Sequence, residues 1–158
     1  MDIQISSNFE RLLFDLYGRD GAAVDKTMKY FRESGPFRLD AGIMERLKTL
    51  FASGRQDDVQ TLDVIKRTYQ QKNYILDPHT AVGVGVAEEY RKKNPESVIV
   101  SLATAHPAKF PEAVKRAIGF EPELPPRLAD LYTRTEKYDV LPADLSRVQQ
   151  FVRDRVKM

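Results

Sequence analysis

Asp77-Pro78-His79-Thr80-Ala81-Val82-Gly83-Val84-Gly85-Val86-Ala87, followed by Leu102-Ala103-Thr104-Ala105-His106-Pro107-Ala108-Lys109-Phe110, decides how this 158-residue chain is read. The first stretch opens as a helix. An aspartate at the cap accepts hydrogen bonds from free N–H groups, and proline's missing donor costs nothing at the first helical position. The run that follows is small and apolar on all sides, which predicts a buried helix; charge returns only at Glu88. Glycine costs a helix about 1 kcal/mol relative to alanine, so Gly83 and Gly85 predict close approach by a second backbone or a ligand. Val98-Ile99-Val100-Ser101-Leu102 reads as a short buried strand, and its end turns into a helix carrying Phe110, Val114 and Ile118. Helix, strand, helix is the pattern of an α/β layer.

Upstream, residues 1–72 read as helical. Phe9, Leu12, Leu13, Leu16 and Tyr17 share one face of a first helix, in which Ser7 and Glu10 have capping-box spacing. Asp20 caps a second, with Val24, Met28 and Phe31 on one stripe and Gly35-Pro36 as its stop. Asp40 caps a third. Asp57 or Asp58 opens a fourth, with Leu62, Ile65 and Tyr69 facing inward. Downstream, Glu121 to Pro126 holds three prolines and reads as an extended connection, and Arg127 to Thr133 as one or two helical turns. A strand is expected near Tyr138 to Leu141. A last helix from about Pro142 is expected to turn Leu145, Val148, Val152 and Val156 inward. The expected fold class is therefore helix-rich α/β in one segment, 1–158, helical over 1–72 and α/β over 73–158.

Composition narrows the function. Twenty-five Lys and Arg stand against 23 Asp and Glu, interspersed, so there is no basic footprint for nucleic acid. No apolar run approaches the roughly 20 residues needed to span a bilayer. Without cysteine, neither a disulfide framework nor a thiolate metal site can form. The opening residues lack a basic segment followed by an apolar one, so no secretory signal is expected and the cytoplasm is the default location.

Chemistry concentrates in the two opening stretches. Each holds one of the two histidines and lies where a helix begins, with free N–H groups and a positive dipole end that suit an anion or a ring acceptor. In open α/β sheets ligands gather beyond the carboxyl ends of strands, where Thr104 falls. Each residue also has a plain structural reading: Asp77 as a helix cap, Thr104 as a strand end, His79 and His106 as satisfied structural histidines. The histidines lack the i, i+4 spacing of a zinc helix, so no metal is expected. Gly83-Val84-Gly85 lacks the third glycine of a dinucleotide fingerprint.

Residues 1–16 (MDIQISSNFERLLFDL), 77–85 (DPHTAVGVG) and 103–114 (ATAHPAKFPEAV) resemble, in order, threonine synthase. The likeness is strongest to the longer form of bacteria and fungi, whose extra helical region the helices between Asp20 and Lys72 resemble. The resemblance implies a fold-type II enzyme using pyridoxal phosphate to convert O-phospho-L-homoserine and water to L-threonine and phosphate. It implies Thr104 at the pyridine nitrogen, Asp77 on the cofactor side, and His79 and Thr80 lining the pocket. Ser6, Asn8 and Arg11 resemble a set that contacts the substrate phosphate, for which arginine's planar fork is apt. The family's Schiff-base lysine and glycine-rich phosphate loop lie before the region matched here and have no counterpart; Lys109 and Lys115 stand in the wrong context. The chain is thus expected to be a C-terminal fragment that cannot hold the cofactor alone, that is completed by the enzyme's N-terminal part, and that exposes apolar surface and self-associates without it. The competing expectation is a non-catalytic helical interaction module derived from the enzyme.

Overall fold

The computed structural model describes residues 5–156, which divide into two compact units, Met1–Glu123 and Leu124–Met158. The first unit carries α1 (Ser7–Leu16), α2 (Gly21–Ser34), α3 (Ala41–Leu50), α4 (Asp58–Lys72), α5 (Pro78–Lys93) and α6 (Pro111–Ile118). The second carries α7 (Leu145–Arg155). No helix among the described residues is long and apolar enough to cross a membrane.

Local capping explains most helix starts. Asp20 accepts from the N–H groups of Ala22 and Ala23, Asp40 from Ile43, and Asp57 forms a reciprocal capping box with Gln60. At α1 the cap is Ser6, one residue earlier than the spacing of Ser7 and Glu10 predicts, and its Oγ accepts from Phe9 N–H. Leu13, Leu16 and Met28 bury the contact of α1 with α2. Arg46 of α3 donates to the carbonyl of Leu16, satisfying an orphan acceptor at the end of α1. The centre of the unit is the packing of α4 on α5 and α6, through Val64, Ile65, Leu76, Ala81 and Ala117. Arg67 joins α4 to Glu88 of α5 through its two terminal guanidinium nitrogens.

The α/β expectation is corrected in part. The chain is helix-rich, but no strand occurs among the described residues. Val98, Val100 and Leu102, expected in a buried strand, are 95%, 80% and 76% exposed. A strand is completed by a neighbour that takes its N–H and C=O groups and covers its faces, and the described residues contain no such neighbour. The segment near Tyr138 to Leu141 forms no ladder for the same reason. Nor is the run from Ala81 to Ala87 buried all round: Ala81 and Gly85 are enclosed, whereas Gly83 is exposed.

In the second unit, Asp144 caps α7, which begins at Leu145 rather than near Pro142. Leu145, Val148, Val152 and Val156 were expected to face inward, yet all are exposed, because nothing within that unit covers the stripe. Asp130 and Arg134 pair at 2.6 Å around a short turn, Leu131–Thr133. The guanidinium holds the Asp130 carboxyl below its usual range, so this contact contributes above the ordinary carboxylate pKa and is lost as pH falls through the lowered value. Acidification through that lowered value is expected to loosen this turn, and the Arg134 side-chain signal in an NMR pH titration reads it.

Candidate functional site

The site is built on the start of α5. Asp77 is 2% exposed, and its carboxylate accepts from the N–H groups of His79 and Thr80, at 2.9 and 3.4 Å, and from the Thr80 hydroxyl. His79 Nδ1 lies 3.2 Å from the same carboxylate, and its ring packs against Phe110 at 5.0 Å. Thr80 is also buried, and its oxygen accepts a second bond, from the backbone N–H of Thr104, at 3.1 Å. Twenty-four residues of separation are closed by that one contact. His106 acts structurally: Nδ1 accepts from Ala108 N–H and caps the turn Pro107–Lys109.

Thr104 faces a cleft of about 780 Å³. Its floor is α5, from His79 past Gly83 to Tyr90; one wall is Ile99 to Leu102 and the other is residues 52–56. With its N–H held by Thr80, the Thr104 hydroxyl has no partner among the described residues. It can donate to, or accept from, a ring nitrogen brought into the cleft.

The structure sorts the candidate residues. Thr104 and His79 line the cleft, whereas Asp77 and Thr80 lie behind it and hold its rim. Ser6, Asn8 and Arg11 sit apart, at the start of α1; Asn8 Oδ1 accepts from Arg11, which lines a groove against α2. Among the described residues no group of three or more His, Cys, Asp or Glu could hold a metal ion. Sequence reasoning missed Ser101, Arg55 and Gln56. Ser101 was absorbed into the strand reading. Gly54 reads from sequence only as the end of the third helix, and Arg55 and Gln56 carry no motif; the one available signal was the pair of glycines in α5, which announced a close neighbour without naming it.

The expectation of a second backbone or a ligand is corrected: the neighbour is a side chain, Gln56, and it crowds Gly85 alone. A Cβ on Gly85 would stand 2.8 Å from Cδ of Gln56, whereas one on Gly83 would meet only Ser101 Oγ at 3.7 Å. Gly83→Ala is therefore expected to stabilise by about 0.5–1 kcal/mol through helix propensity, while Gly85→Ala gains little because Gln56 must move. Urea denaturation of the two variants separates them.

A family model described as "Threonine synthase, C-terminal" matches residues 80–152. Over 96% of its length the chain is 48% identical to threonine synthase of Pseudomonas aeruginosa. Over nearly its whole length the chain is similar to threonine synthases. It spans about a third of the length of the relatives it matches, 32% in the Pseudomonas case. Two crystal structures match 98% of the chain: PLP-bound threonine synthase from Brucella melitensis, at 44% identity and TM-score 0.68 over 33% of that chain, and the yeast threonine synthase, at 37% and 0.69 over 35%. The threonine synthase match thus takes in the start of α5, the cleft and the helical region before them.

Proposed function

We propose that this chain forms the ring-facing wall of a cytoplasmic, fold-type II threonine synthase that converts O-phospho-L-homoserine and water to L-threonine and phosphate. The observation that carries the reading is the Thr104 hydroxyl, partnerless on the cleft and fixed by the bond of its own N–H to Thr80. The donor set suits pyridoxal phosphate: a neutral hydroxyl can meet a pyridine nitrogen, and the His79 ring borders the same space. When bound, that cofactor supplies an electron sink for carbanions beside its imine nitrogen. A hydroxyl, unlike a carboxylate, does not hold the ring nitrogen protonated. Thr104 then orients the ring, Asp77 and Thr80 position Thr104, and Ser6, Asn8 and Arg11 serve the substrate phosphate. The Schiff-base lysine and phosphate loop come from the remaining two thirds of the enzyme, which also covers the apolar residues of 98–102. In their absence the exposed run favours self-association.

The test joins the first two thirds of the Pseudomonas aeruginosa relative to this chain. The chimera is expected to release phosphate from O-phospho-L-homoserine, and the chain alone to release none and to show no lysine-bound cofactor absorbance. Thr104→Val in the chimera is expected to lower kcat about tenfold, since one hydrogen bond is worth about 1.4 kcal/mol. Full activity in that variant would rule out Thr104 as the ring partner.

A further inference from the structure

The wall opposite Thr104 carries a charge that the reading above leaves unused. Residues 52–56 lie on α5, and two glycines set how closely. A Cβ on Gly54 would stand 2.7 Å from Cγ1 of Val86, and Gln56 closes on Gly85 in the same way. Arg55 stands between these two contacts, exposed, on the cleft shared with Thr104 and His79. Valine is stiff about its first torsion, so the Gly54 contact cannot be relieved by a side chain swinging away. The loop's height above α5, and with it the position of Arg55, is set by the absence of a side chain.

The charges around Arg55 are already spent. Asp77 turns its carboxylate to the start of α5, Glu89 pairs with Lys92, and Glu88 with Arg67. Among the described residues no carboxylate pairs with Arg55. An unpaired guanidinium offers a planar fork of donors suited to bidentate contact with a carboxylate or a phosphate. O-phospho-L-homoserine carries both groups.

We propose that Arg55 is a substrate-binding residue that takes an oxyanion of the substrate, phosphate or carboxylate, at the mouth of the cleft. The identity of that substrate rests on the threonine synthase reading; the seat of the arginine does not.

The experiment follows the arginine Nε–Hε signals of the 15N-labelled 158-residue chain, with the Arg55 signal assigned by its loss in Arg55→Gln. The probes are O-phospho-L-homoserine, L-homoserine and inorganic phosphate. A saturable shift at Arg55 with O-phospho-L-homoserine is expected, and Gly54→Val should weaken it several-fold by lifting the loop. A matching response to L-homoserine identifies the carboxylate as the group held, and one to inorganic phosphate identifies the phosphate. Equal shifts at Arg38 and Arg46 would mark a general response of exposed cations and overturn the proposal. Silence at Arg55 would overturn it while leaving the cofactor reading standing, since that reading is tested by phosphate release in the chimera.

Discussion

Asp77→Ala is expected to destabilise the chain by roughly 2–4 kcal/mol, more than any other single change at the candidate site. A helix cap of this kind contributes about 1 kcal/mol, with a range of 0.5–2. The rest comes from burial: Thr80 loses the acceptor for its hydroxyl, and a buried polar group left without a partner costs about 1–3 kcal/mol. Asn can still accept from the His79 and Thr80 N–H groups, so Asp77→Asn is expected to cost only about half as much. In thermal denaturation a loss of 3 kcal/mol corresponds to a fall of about 6–12 °C in Tm for a chain of this size. A fall of less than about 2 °C would mean that the carboxylate is not the group organising this corner. The wider consequence is for Thr104, whose N–H is held only through Thr80; in the alanine variant its amide should exchange with solvent faster.

The second large effect belongs to the core. Ile65 is fully enclosed between α4 and its neighbours, and replacing it with alanine removes buried methyl and methylene groups and leaves a cavity. A loss of about 2–5 kcal/mol follows. Val59 lies six residues earlier on the same helix but is 77% exposed, and Val59→Ala should stay within about 0.5 kcal/mol. Urea midpoints measured in parallel on the two variants check the contrast. Similar losses at both sites would contradict the packing of α4 described above.

What could be read from the chain in advance follows from how far each signal reaches. Asp20, Asp40 and Asp77 were legible as caps, and Asp57 as one of two candidates beside Asp58, because a cap satisfies donors two or three residues away. Helix periodicity likewise identified Ile65 as core, and the corner around Asp77 and Thr104 stood out through its unusual local chemistry. Residues 98–102 were misread for the opposite reason: a helix closes its own hydrogen bonds, whereas an extended run depends on a partner its own letters do not specify. The stripe of α7 fails similarly, since amphipathicity reveals that a face needs cover but not what covers it. Gly85 stated that something comes close. That the visitor is Gln56, 29 positions away, is a property of the fold alone.

Thr80 carries a consequence for how this region tolerates change in length. Its single oxygen serves two masters, giving its proton to Asp77 and receiving one from the backbone of Thr104. The stretch from Asn94 to Ser101 between these motifs runs largely exposed. Residues added before Val98, ahead of the cleft wall, are expected to leave Thr104 on the same spot, because its address is written at the head of α5 and not in the length of the path that leads there.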